Sequence, residues 1–148
     1  PTVFISNSSN TTNTYVMRFA CGSGGNTRGE IYYNGSAMVY ATSSDYRLKE
    51  NVRPLTNALN KLSQLKPKSF RWIEHQIEDD GFLAHEFKEV FPQSVGGEKD
   101  EIDEQGKPKY QTIDASSPST IAAIVAGILE LKQIVDAQAA EIAALKGN

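Results

Sequence analysis

The sequence predicts an α+β protein in two parts: a β-rich N-terminal stretch, then a small α+β domain that ends in a long coiled-coil helix. Three observations predict this class. Residues 1–41 alternate short β-branched and aromatic runs with polar turns. Residues 54–113 combine a leucine repeat at helical spacing with strand-like runs. Residues 118–146 carry apolar side chains in a seven-residue repeat.

In the first part, residues 3–5, 15–19, 31–33 and 37–41 are the predicted strands. Asn34-Gly35 between the last two is the dipeptide favoured by a type I′ hairpin turn. Residues 6–13 and 21–29 are polar, too long for tight turns and too poor in hydrophobes to bury surface. Isolated hairpins are marginal in water, so these strands need partners, either upstream sequence or other copies of the chain.

The pattern changes after the junction at residues 42–49. Pro54 is placed as a first helical residue, and Leu55, Leu59, Leu62 and Leu65 recur at helical spacing until Lys66-Pro67 ends the run. Phe70, Trp72 and Ile73 predict a strand, turned by Glu78-Asp79-Asp80-Gly81. Phe82, Leu83 and Ala84 predict a strand that enters a short helix carrying Phe87, Val90 and Phe91 before Pro92. Residues 96–109, charged and without apolar period, form an exposed loop or a long hairpin, with Tyr110, Thr112 and Ile113 on its returning strand.

The strongest period lies at the end. Ser117 is the cap and Pro118 the first helical residue. Ile121, Ile128, Val135 and Ile142 fall at a positions, and Ile124, Leu131, Gln138 and Leu145 at d positions. A run of about 28 residues is ~42 Å long, more than the small domain before it can cover, so its outer part packs against identical helices. β-Branched a positions suit dimers and Ile at both a and d suits trimers, so the heptads leave two strands or three. Val125, Leu129 and Ile134 widen the apolar surface, which favours more than two helices or packing on the preceding domain. Glu141 and Lys146 stand at g and e, where a parallel neighbour pairs them, and Gln138 is a register-fixing residue. The plainer alternative is an ordinary amphipathic helix lying on its own domain.

Composition removes several function classes. With 15 Lys+Arg against 18 Asp+Glu and a net charge of −3, the chain lacks the basic face that phosphate binding needs, and no nucleic-acid partner is expected. Cys21 is the single cysteine, so neither an intrachain disulfide nor a zinc spacing is available. Residues 121–135 form the one long apolar stretch, and it contains Glu130 and Lys132, so no membrane insertion is expected. No signal peptide is visible, and the absence of an initiating Met predicts a trimmed longer chain.

The chemistry concentrates at the junction. The hydroxyl of Ser44 and the amine of Lys49 can cut a peptide bond without metal or histidine. A serine hydroxyl needs an adjacent base, and a lysine serves only when its pKa falls well below ~10.4 through burial or a nearby positive charge, for which Arg47 is the candidate. Fully extended, five steps of ~3.3 Å would separate residues 44 and 49 by about 16 Å, beyond the reach of a lysine. The segment therefore bends, or Lys49 comes from another chain. The plain reading of Ser44, Asp45 and Lys49 is a capped turn with solvated charges.

The block Ser44-Asp45-Tyr46-Arg47-Leu48-Lys49-Glu50-Asn51-Val52, then Phe70-Arg71-Trp72, then Gly81-Phe82-Leu83-Ala84-His85-Glu86 with Phe91-Pro92 and Val95, and a closing long helix, resembles the C-terminal intramolecular chaperone domain of bacteriophage tailspikes, tail fibres and neck appendages. The resemblance covers residues 42–148. It implies a β-rich stalk end in residues 1–44 and a chaperone domain in residues 45–148. It also implies a homotrimer that registers the upstream stalk of the same polypeptide while it folds, then single-turnover autoproteolysis at Ser44-Asp45. Carried over, Ser44 and Lys49 are the catalytic pair and Asp45 follows the cut; in such a homotrimer the heptad residues Ile121, Ile124, Ile128, Leu131, Val135, Gln138, Ile142 and Leu145 are the expected interface. The mature stalk would belong to the virion, with host-surface glycans as a possible partner, and the released chaperone to the host cytoplasm. His85 departs from the family pattern, which has Gln there. A cut after Ser44 by its own hydroxyl requires a four-membered ring, whereas attack on the Ser43 carbonyl makes a five-membered one. A hydroxyl from a neighbouring chain, a water activated by Lys49, or the Asp45 carboxylate would each avoid the small ring.

Other candidates are weaker. His75 and His85 lack a third ligand at helical spacing, residues 98–104 lack the order of a calcium loop, and no glycine motif opens a helix as nucleotide phosphates require, so neither metal nor cofactor is expected. Tyr32, Tyr33, Tyr40 and Trp72 could stack on sugars but more often fill a core or an interface. The alternative function is a non-cleaving trimerisation and host-attachment tip. A membrane-tethered transcription factor with a related self-cleaving domain is disfavoured by the lack of a membrane segment and a basic domain.

Overall fold

The structure, a computed structural model, describes residues 14–20 and 27–147. The fold is mixed α+β, with small antiparallel sheets and one long C-terminal helix. The chain divides into two compact units, residues 1–52 and 53–148, so the junction turn groups with the N-terminal sheet.

The described part of the first unit is a three-stranded antiparallel sheet of β1 (Thr14–Ala20), β2 (Thr27–Tyr33) and β3 (Met38–Thr42), in that order. The expected strands at residues 15–19 and 31–33 fall within β1 and β2, with β2 starting earlier, and the one expected at 37–41 is β3, shifted by one residue. The expected strand at residues 3–5 and the polar stretches 6–13 and 21–26 lie outside the described residues. The type I′ turn is corrected. Tyr33 pairs with Met38, leaving the four-residue loop 34–37, and only Gly35 within it has positive φ, at 99°. The Asn34 carboxamide oxygen accepts from the backbone N–H groups of Ser36 and Ala37, both at 2.9 Å, and this side-chain mimicry of a turn lengthens the loop. Tyr15 and Tyr32 pack across the sheet with ring centroids 5.9 Å apart, and Arg18 lies 3.8 Å over the Tyr15 ring.

The second unit opens with α1 (Ala58–Leu62), shorter than the leucine repeat predicts. Pro54 is not its first residue. Asn57 sits at φ 61°, a left-handed conformation that Asn tolerates and that ends any helix running back toward Pro54. The first amide groups of α1 are met from far along the chain, because the Glu130 carboxylate accepts from Ala58 N at 2.8 Å and from Leu59 N at 2.9 Å.

Next comes the hairpin of β4 (Lys68–Arg71) and β5 (Glu78–Gly81), and here a second expectation is corrected. The acidic run is the returning strand, not the turn, and Trp72 and Ile73 belong to the turn, which Trp72 N closes onto Ile77 O at 2.9 Å. Partners across the hairpin explain it: Asp79 accepts from Trp72 Nε1 in the turn, and Asp80 from Ser69 Oγ on β4, so the carboxylates are paired where a strand exposes them.

The core follows. α2 (Ala84–Lys88) buries Phe87, and with Val90, Phe91 and Ala123 this forms the hydrophobic centre, flanked by Leu62, Leu65, Phe82 and Val95. Phe87 stacks on Phe91 at 5.3 Å and meets Phe82 at 5.0 Å. β6 (Val95–Gly96) pairs with β7 (Thr112–Ile113), so the long-hairpin reading of the charged segment holds, with Tyr110 outside the strand.

α3 (Pro118–Lys146) has the expected cap, with the Ser117 side chain accepting from Thr120 N. Ser117 Oγ also lies 2.7 Å from Ser94 Oγ, which ties the helix start to the turn before β6. Thr120, Ala123 and Gly127 are its buried residues, one stripe at helical spacing, with Glu130 next along it. Gly127 lets α1 approach closely, since a Cβ there would meet Leu62 Cδ1 at 2.7 Å. Beyond Glu130 the helix is exposed along its whole length.

Candidate functional site

β3 delivers the chain to the site. Ser43 extends the ladder, its N–H donating to Arg28 O at 3.0 Å and its hydroxyl to Thr27 O at 2.6 Å, so the backbone just before Ser44 is pinned to the sheet. A single 3₁₀ turn over Tyr46–Leu48 then reverses the chain. Leu48 N donates to Asp45 O at 3.1 Å and Lys49 N to Tyr46 O at 3.0 Å.

The turn resolves the reach problem within one chain. Lys49 Nζ lies 2.7 Å from Ser44 Oγ and 3.1 Å from the carbonyl oxygen of Ser44. The amine thus stands on both the hydroxyl and the carbonyl that precedes Asp45. Ser44, Asp45 and Lys49 are all exposed.

Asp45 caps the turn. Its Oδ1 accepts from Arg47 N and Arg47 Nε, and its Oδ2 from Arg47 Nη2, all at 2.9 Å. The guanidinium and then the backbone N–H of Arg47 hold the Asp45 carboxyl below the ordinary carboxylate range, with a smaller electrostatic share from Lys49. The same pairing raises the pKa of Arg47. Arg47, expected as the positive neighbour of Lys49, is instead the partner of Asp45. The signal was present in the sequence: Asp before a short turn is a strong N-cap, and a residue two further on is within reach of its carboxylate.

The eight heptad residues share one face of α3. Ile121, Ile124, Ile128, Leu131, Val135, Ile142 and Leu145 are between 39% and 77% exposed, and Gln138 is exposed as well. Val125, Leu129 and Ile134 beside them are also exposed; Ile134, seven residues after Gly127, continues the stripe that faces α1, so the apolar surface adjoins that stripe. Glu130 was not anticipated as a functional group. Its carboxyl is held below its ordinary range by the N–H groups of Leu59 and then Ala58.

The remaining candidates do not converge. His75 lies 3.7 Å from Glu74 on an exposed turn, and His85 sits on α2. In the 98–104 loop Glu98 pairs with Lys88 at 2.6 Å, Asp100 with Lys99 and Glu101 with Lys109, and Asp103 accepts from the backbone of Gln105 and Lys107. Among the described residues no group of His, Cys, Asp and Glu could hold a metal ion, and no helix is long and apolar enough to cross a membrane. Trp72 packs edge-on against Phe70 at 5.2 Å, Tyr33 donates to Gly35 O at 2.7 Å, and Tyr40 is exposed.

No curated protein matches the chain. A family model does, over residues 44–96, the segment that begins at Ser44 and takes in α1, the β4–β5 hairpin, α2 and the core phenylalanines. Residues 44–96 match the peptidase family described as Chaperone of endosialidase, which is the intramolecular chaperone resemblance that the Ser-Asp-x-Arg-x-Lys block carries.

Proposed function

We propose that this chain is part of a bacteriophage tail fibre, tailspike or appendage, in which residues 45–148 are an intramolecular chaperone. The chaperone forms a homotrimer through α3, brings three upstream β-stalks into register, and is then released by one self-cleavage at Ser44-Asp45. The observation that carries the reading is the Lys49 Nζ to Ser44 Oγ distance of 2.7 Å, in a segment that matches a peptidase family of chaperones. The α3 stripe supports the trimer: large aliphatic side chains at a and d, left exposed by their own chain, are what a neighbouring helix buries.

The site supplies the parts of a serine-lysine mechanism. Neutral Lys49 takes a proton, and the ammonium so formed, 3.1 Å from the Ser44 carbonyl oxygen, stabilises negative charge developing there. Ring strain bars Ser44 from attacking its own carbonyl, and Arg47 engages the Asp45 carboxylate, so the nucleophile at the Ser44-Asp45 bond is the Ser44 hydroxyl of a neighbouring chain, from which Lys49 takes the proton. The amide bond breaks with net consumption of one water, leaving a carboxylate on Ser44 and an amine on Asp45. In the single chain the Lys49 amine is solvated. Burial by a neighbouring chain removes that solvation, which makes cutting conditional on assembly. The mature stalk stays in the virion, with host-surface glycans as its ligands, and the freed chaperone stays in the host cytoplasm.

A gel of freshly expressed protein tests the reading. Two fragments are expected, with a mass for the N-terminal piece that ends at Ser44, and a single full-length band for Ser44→Ala and for Lys49→Ala. A wild-type chain that stays intact as a stable trimer would overturn cleavage and favour a non-cleaving attachment tip.

A further inference from the structure

We infer that Asp45 and Arg47 are positioning residues for the Ser44/Lys49 pair: Arg47 takes up the Asp45 carboxylate, which closes the turn and leaves Lys49 to Ser44. This rests on the autoproteolytic reading and deepens it.

The geometry shows what the pair does. A lysine five residues after a serine meets it only if the backbone reverses, and the reversal is one three-residue turn with two backbone hydrogen bonds, at 3.0 and 3.1 Å. So short a turn is weak alone. Asp45 adds three further bonds at 2.9 Å, one to the turn's backbone and two to the Arg47 fork, and these fix the side chain on both sides of the turn. Arg47 and Asp45 side chains are 74% and 42% exposed, so the ion pair contributes little to global stability, and its effect is confined to local geometry.

The pair also settles a competition. Asp45 is close enough to Lys49 for the two charges to act on each other. A carboxylate free to swing onto Lys49 would hold it as an ammonium and draw it from the hydroxyl, whereas one engaged by a bidentate guanidinium stays with Arg47. The charged groups in and beside the turn are Asp45, Arg47, Lys49, Glu50 and Arg53, and among the described residues the ion pair here is Arg47 with Asp45.

The test follows fragment appearance after refolding the full chain over a series of pH values, with trimer content measured in parallel. Arg47→Gln is expected to slow cleavage about tenfold or more, since a small misplacement of reacting groups costs that much, and to move the half-maximal pH upward as the freed carboxylate stabilises the Lys49 ammonium. Asp45→Asn keeps an oxygen to cap the turn but frees the guanidinium, and is expected to move the half-maximal pH downward. Arg47→Lys recovers the charge without the fork, and is expected to restore part of the rate and most of the pH midpoint. Opposite pH shifts, with a rate that Arg47→Lys restores only in part, support the clamp, because loss of local structure alone would move both variants the same way and loss of charge alone would be made good in full by Arg47→Lys. A wild-type rate and midpoint in Arg47→Gln, or parallel shifts in both variants, overturns it. If Ser44→Ala and Lys49→Ala cleave like wild type, or the wild-type trimer does not cleave, the autoproteolytic reading fails and the clamp fails with it. Silent Ser44→Ala and Lys49→Ala beside an unaffected Arg47→Gln overturns the clamp alone.

Discussion

The two faces of α3 differ in residue size. The face turned to its own chain is Thr120, Ala123 in the phenylalanine core, and Gly127, which lets α1 lie close, followed by Glu130, whose carboxylate reaches across to the α1 backbone. The other face carries Ile121, Ile128, Leu131, Val135 and Ile142, all about half exposed. Greasiness alone would assign the core to the wrong face. Intrachain packing here needs close backbone approach, which small residues permit, whereas association between long helices needs knobs that fill holes, which branched side chains provide.

The largest effect is expected on the outer face. Ile128→Asp places a charge in each chain of the proposed trimer seam and is expected to abolish association at micromolar concentration. Light scattering should then report monomer, with the second unit still folded by circular dichroism. Retention of the oligomer would break the comparison.

On the inner side, Phe91→Ala removes a fully buried ring that stacks on Phe87, and is expected to cost about 3–5 kcal/mol in denaturant unfolding. Gly127 sharpens the argument about size. Gly127→Leu should cost about 1–3 kcal/mol through overpacking against Leu62, while Gly127→Ala, which gains helix propensity as it loses space, should stay within about 1 kcal/mol of the parent.

The smallest effect is expected at Glu130. Its folded pKa is depressed, so its contribution to stability is present above the ordinary value of 4.5 and is lost as pH falls below it through the folded pKa. Glu130→Gln should flatten that acid limb in pH-dependent thermal unfolding while leaving association at neutral pH unchanged.

Much of this was readable along the chain. Ser117-Pro118 and the heptads located α3 to its ends, because capping and period are local properties. Ser44 and Lys49 were legible as a pair because a turn was the one local way to join them, and Tyr46–Leu48 is that turn. Reading failed where a distant group intervened. The start of α1 was set by Asn57 and by a carboxylate 72 residues away from Ala58, and the acidic residues of β5 became strand through partners on β4.

The sequence by itself determined the fold class, the long helix with its apolar repeat, and the serine and lysine of the junction, since each is written in spacing a few residues wide. Only the tertiary structure decided which stripe of α3 its own domain uses, where α1 begins, and that Arg47 belongs to Asp45. Those choices depend on steric fit and on hydrogen-bond partners, and such groups meet only after the chain has turned back on itself.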